Sequence, residues 1–177
     1  QEPGKAFTIV SPLAPMSWSA GLGMVNIGVG DSFLAVELYG QFFKHFWRDL
    51  SWMGRFHYLS GSGTASDNLG TAGSQNVDVS ALGLSAGVSK LLLPYQIVSV
   101  RVEGDLGFSN ANIKLSGGFD EETVLNKRMK DGIGLYARGG VAAVWRRDGI
   151  QPEAGLSFIR IHNSNSSALF IGVNAPL

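Results

Sequence analysis

Between Tyr95 and Phe108 the chain reads YQIVSVRVEGDLGF. Val98, Val100, Val102, Gly104, Leu106 and Phe108 form one alternating set, and Ile97, Ser99, Arg101, Glu103, Asp105 and Gly107 form the other. The first set is apolar and the second carries three charges. A repeat of two residues is the period of extended chain, so the pattern predicts a strand. The same alternation recurs elsewhere. Leu34, Val36, Leu38, Gly40 and Phe42 oppose Ala35, Glu37, Tyr39 and Gln41. Trp52, Gly54, Phe56 and Tyr58 oppose Met53, Arg55, His57 and Leu59. Leu82, Leu84, Ala86 and Val88 alternate with small residues, and Ile133, Leu135, Ala137, Val141, Ala143 and Trp145 oppose Tyr136, Arg138 and Arg146. An apolar face thus returns in strand after strand, with no helical pattern to cover it. A closed barrel with lipid outside and a polar, packed interior satisfies that pattern.

Eight strands are predicted: 17–29, 32–47, 52–60, 77–92, 95–108, 132–146, 150–162 and 168–176. The fold class expected is all-β, an eight-stranded antiparallel up-and-down transmembrane β-barrel. Residues 1–16, with three prolines, read as an N-terminal periplasmic segment and 17–177 as the barrel. Short connections at Arg48–Leu50, Leu93–Pro94 and Arg147–Gly149 alternate with long polar ones at 60–76 and 109–131. A meander gathers the short turns at one end, which is the outer-membrane arrangement. Gly30–Asp31 is a short turn at the long-loop end. An even strand count returns both termini to the short-turn, periplasmic side. Phe43, Phe46, Trp47, Trp52, Tyr95 and Trp145 lie beside the short turns, where amphipathic rings favour a membrane interface.

Composition narrows the classes. Fourteen basic residues balance fourteen acidic ones, which removes the electrostatic case for nucleic acid. The absence of cysteine excludes disulfides and thiolate metal sites, and neither metal nor cofactor is expected. Charged residues make up 16%, low against the ~25% of soluble domains. Membrane lipid and lipopolysaccharide are the expected surroundings. Loops 60–76 and 109–131 are the places for a protein partner. The stretch FDEETVLNKRMK, Phe119 to Lys130, is charged and amphipathic enough to contact phosphates or protein.

An eight-stranded barrel has an interior just wide enough for its own side chains. Glu37, Arg55, His57, Arg101, Glu103, Asp105, Arg138 and Glu153 are expected there. Buried charges need partners, so these residues predict a structural ion network that plugs the barrel.

One local motif carries possible chemistry. Residues 160–167 read RIHNSNSS. On one continuous strand His162 and Ser164 would share a face, ~7 Å apart at ~3.3 Å rise per residue. A histidine base near a serine is the minimum for acyl transfer. Here the chain resembles the lipid A 3-O-deacylases, eight-stranded barrels with a His-x-Ser-Asn motif at the outer end of the seventh strand. His162, Asn163, Ser164 and Asn165 match that motif. The resemblance implies His162 as general base, Ser164 as nucleophile and Asn165 at an oxyanion site. That family also has an acid downstream, whereas no Asp or Glu follows Ser164 in this chain. Over most of its length the chain resembles small outer-membrane barrels of the outer membrane protein A type. That resemblance implies anchoring, adhesion or partner binding through external loops. The missing acid favours this reading over the esterase. Register separates the two as well. Extending the outward face of Ala154, Leu156 and Phe158 sends Arg160, His162 and Ser164 toward the outer leaflet, whereas a bulge near Ile159 would turn them inward.

Overall fold

The computed structural model describes residues 14–29, 31–66, 74–116 and 131–177. They form eight antiparallel strands: β1 (Met16–Val29), β2 (Asp31–Trp47), β3 (Leu50–Ser66), β4 (Ser74–Leu92), β5 (Val98–Ser116), β6 (Gly132–Trp145), β7 (Gln151–Ile161) and β8 (Ser164–Pro176). Each strand pairs with its neighbours in sequence, and β8 closes on β1, so the sheet is a barrel without an edge. The predicted class and strand count are the observed ones.

The stagger of the barrel follows from the pairing. From Val102 on β5, directly opposed partners run through Val141, Leu156, Leu169, Met24, Val36, Ser60 and Ser80. The circuit returns to β5 at Asn112, ten residues beyond its start. A closed barrel requires such a stagger, with strands tilted by roughly 35–45°. The residues on this row all face outward. They are apolar from Val102 to Val36 and polar from Ser60 to Asn112, so the row climbs out of an apolar belt between β2 and β3. On β5 the belt runs from Val98 to Phe108 and stops at Asn110. Those ten steps cover ~33 Å of strand at ~3.3 Å each, or ~25 Å along the axis at the usual tilt. This is the height of a lipid-facing band in a transmembrane barrel.

Four strands run three or more residues further than expected at one end, β8 among them, which begins at Ser164 rather than at 168. β3 continues to Ser66, β4 begins at Ser74 and β5 continues to Ser116. Much of what reads as loop at 60–76 and 109–131 is therefore sheet, forming a wall above the belt. The tips 67–73 and 117–130, with the stretch Phe119 to Lys130, lie outside the described residues, as do residues 1–13 and Gly30. The opposite rim is low, because β7 and β8 are joined by only two residues, His162 and Asn163.

At the short-turn end Phe46, Trp47, Trp52, Tyr95 and Trp145 are exposed on the outer face, with Phe46 and Trp52 stacked at 4.9 Å. Phe43 departs from the expected girdle. It lies on the inward set of β2 and is 4% exposed.

The interior is layered. The expected polar filling occupies the middle. Toward the loop end the inward positions are apolar instead: Val25, Ile27, Leu59, Val77, Val79, Tyr136, Ile159 and Ile161 pack together with four alanines. Burying such side chains is worth ~1.5–3 kcal/mol each for the larger ones, so this layer adds stability that the ionic layer does not.

Candidate functional site

The mid-barrel network is built around Glu103 of β5. Its carboxylate accepts a hydrogen bond from Arg55 Nη2 and another from Arg101 Nε at 3.2 Å, and Arg138 Nε stands 4.0 Å away. Arg55 Nε lies 3.3 Å from Asp105 Oδ2. Arg138 Nη1 donates to both oxygens of Glu37 at 2.9 Å. Arg101 Nη1 reaches Glu153 Oε2 at 2.8 Å. Glu153 Oε1 also accepts from Ser19 Oγ at 2.5 Å and from the Tyr39 hydroxyl at 3.0 Å. Gln41 sits between Arg55 and Glu103.

All eight residues expected in the interior are there and buried. Seven of them join the network. His57 stands apart from it, stacked on Tyr136 with ring centroids 4.1 Å apart. The space for its ring comes from Gly83, where a Cβ would overlap the imidazole. Ser19, Tyr39 and Gln41 also belong to the network. Tyr39 and Gln41 share a face with Glu37, so alternation alone places them inside. Aromatic faces support the guanidinium groups: Arg101 lies 4.7 Å from the Phe43 centroid and Arg138 5.1 Å from that of Phe170. Such contacts are worth more when desolvated, about 2 kcal/mol, which accounts for an aromatic facing inward at Phe43.

The network is closed off toward the loop end by the apolar layer. Toward the short-turn end it meets a vestibule of about 390 Å³, floored by Arg101 and Phe43 and rimmed by His45, Arg146 and Gln151.

The His162 motif has a different geometry from the one expected of a single strand. β7 ends at Ile161 and β8 begins at Ser164, so His162 is the first residue of a two-residue turn and Ser164 the first of β8. His162 has φ of +55°, a conformation open to few residues apart from glycine, asparagine, aspartate and histidine. No bulge interrupts β7. Ile159 and Ile161 face inward and Arg160 outward, as unbroken alternation requires. The turn, rather than a bulge, then redirects the chain. The His162 ring folds over Gly134 of β6, where a Cβ would overlap it. Its Nε2 lies 3.2 Å from the carbonyl oxygen of Ser109 on β5. A carbonyl only accepts, so this nitrogen carries the proton. Ser164 is 1% exposed and faces the interior, whereas Asn165 is exposed on the outer face. His162, over the inward position Gly134, and Ser164 thus both lie on the inner side of the sheet, and Asn165 lies on the outer side. Among the described residues no group of three His, Cys, Asp or Glu side chains is placed to hold a metal.

No family model matches this chain, and no curated protein sequence matches it. Its structure is similar to two solved barrels. One is Neisserial surface protein A, with a TM-score of 0.64 and 13% identity over 93% of this chain and 98% of that one. The other is Ail, the attachment invasion locus protein of Yersinia pestis, solved in complex with the heparin analogue sucrose octasulfate. Its TM-score is 0.58, at 13% identity over 90% of this chain and 96% of that one. The backbone structure of Ail, described as an outer membrane protein, was determined in phospholipid bilayer nanodiscs and has a TM-score of 0.51. At these identities the likeness is one of fold.

Proposed function

We propose that this chain is an integral outer-membrane barrel that works as a non-enzymatic anchoring and binding protein. Its short turns and both termini face the periplasm, and its β3–β5 wall and loop tips face outward. The observation that carries this reading is the closed interior. A guanidinium–carboxylate network fills the middle, and an apolar layer lies between it and the loop end. Such a core serves stability, which leaves the outer rim as the working surface. The ~25 Å apolar belt and the aromatic residues beside the short turns support the membrane placement. Ail, a barrel of the same fold, has been solved with a sulfated sugar. A saccharide or protein ligand at the loop end is the corresponding role here.

The geometry of residues 162–165 argues against the esterase. An acyltransfer site on outer-leaflet lipid needs base and nucleophile together, facing that leaflet. Here Ser164 is buried on the inner side of the sheet, turned away from that leaflet, and Asn165 lies on the opposite face. The test is mass spectrometry of lipid A from cells bearing wild-type protein, Ser164→Ala or no protein. The expected result is the same acyl pattern in all three. Acyl release by wild type that vanishes in Ser164→Ala would replace the binding reading with the enzymatic one.

A further inference from the structure

We infer that the outward face of the β3–β5 wall is a binding surface for the neutral sugars of the glycolipid embedded beside it. This rests on the outer-membrane reading above. Beyond the last apolar positions, Tyr58 and Leu82, the outward residues change character at once. Ser60, Ser80 and Asn112 lie side by side on three strands. One row higher are Ser62, Asp78 and Lys114, likewise registered. All but Ser80 are exposed, and the six line a shallow depression of about 420 Å³.

Two properties select the ligand. The first is charge. Asp78 and Lys114 are direct cross-strand partners, so the patch is neutral overall and gives a phosphate no net attraction. What remains is a grid of hydroxyl and amide groups that donate and accept. Its spacing is ~4.8 Å between strands and ~7 Å along them, suited to bridging the hydroxyls of sugar rings. The second is position. The surface continues the lipid-facing wall upward without a break, so it looks sideways, just above the acyl chains. Its neighbour at that height is the saccharide of an outer-leaflet glycolipid. A soluble glycan would approach from above, at the loop tips. Each exposed hydrogen bond contributes little against water, ~0.5–1.5 kcal/mol. A ligand held in the same leaflet is nonetheless present at high effective concentration, so weak contacts suffice. The low rim at the β7–β8 turn has no comparable wall, so the binding is one-sided.

The test reconstitutes the full chain in bilayers of phospholipid alone, of lipopolysaccharide carrying a core oligosaccharide, and of the same lipid A without core. Backbone amide shifts are followed by NMR. The expected result is a core-dependent change at residues 60–62, 78–80 and 112–114, none at 162–167, persistence after core phosphates are removed, and loss in Ser60→Ala/Ser62→Ala/Ser80→Ala/Asn112→Ala. Equal shifts with and without core, shifts spread round the barrel, or shifts lost with the phosphates would each overturn the proposal. The same shifts from free core oligosaccharide over a phospholipid bilayer would assign the face to soluble glycans and overturn its lateral role. Failure to form a barrel in any bilayer would instead reject the outer-membrane reading.

Discussion

The His162 imidazole crosses over Gly134 to reach the Ser109 carbonyl at 3.2 Å, tying the β7–β8 turn to β5 across the intervening strand. The three atoms nearest to a Cβ at Gly134 would all belong to this ring. Gly134→Ala is therefore expected to destabilise the barrel by about 1–3 kcal/mol, the usual cost of overpacking. In a His162→Gly background, which also relieves the positive φ, the added cost should largely disappear. Urea unfolding in lipid vesicles, followed by fluorescence of the four tryptophans, measures both. An equal penalty in the two backgrounds would mean that the ring does not occupy the space above Gly134.

Val102 and Asn112 share a strand, a face and a cross-strand row, one circuit apart. Their expected responses to arginine differ. Val102→Arg places a cation within the apolar belt, at a cost of about 2–4 kcal/mol, whereas Asn112→Arg lies above it and costs ~0–1 kcal/mol. Folding yield into vesicles and urea midpoints give the comparison. Similar penalties at both positions would show that the belt does not end where outward polarity changes.

Glu103 contacts Arg55 and Arg101 directly. Glu103→Ala leaves both guanidinium groups short of a partner in a closed interior, and the expected loss is about 3–5 kcal/mol. Asp105 meets Arg55 alone among the ion pairs, so Asp105→Asn should cost clearly less. The ranking is read from unfolding free energies in the same vesicles, and a reversed order would remove Glu103 from the centre of the network.

Orientation can be read with single cysteines, because the chain has none of its own. Asn163 and Asp148 are both exposed, at opposite ends of β7. On intact cells a membrane-impermeant maleimide should label Asn163→Cys but not Asp148→Cys. Labelling of Asp148→Cys alone would invert the barrel.

How far the sequence discloses this molecule depends on where lipid stops. From Val98 to Phe108 the outward set is apolar and the inward set charged, so period, face and network residues are all legible. Above the belt the contrast fades. Ser60, Ser62, Asn110 and Asn112 face water, while Gly61 and Ala111 stand between them, and the stretch has a loop's composition although it is sheet. The two-residue turn at His162–Asn163 is hidden for the same reason, since polar residues occupy both faces just after it. The apolar upper layer runs against the expectation of a polar lumen. Its signal is visible in hindsight at Val25, Ile27, Val77 and Val79, inward positions as hydrophobic as any lipid-facing one. As for the candidate site, alternation finds the residues of the ion network, but only the fold reveals the turn that sends Ser164 inward and Asn165 outward.

The ten-residue climb around the barrel also limits how this sequence can change. Side chains alternate in and out, so a closed circuit must return an inward residue to an inward one, and the climb has to be even. A single residue gained or lost in mid-strand breaks that parity at one seam and turns half a strand inside out, unless the odd residue is discharged on the spot. β2 does this beside its turn. His45 pairs with Ser51 and Trp47 with Leu50, leaving Phe46 without an opposite number, so that two successive aromatics face outward. Length variation in relatives of this chain is accordingly expected at the strand ends and in pairs of residues through the belt, with single insertions found only where a bulge can absorb them.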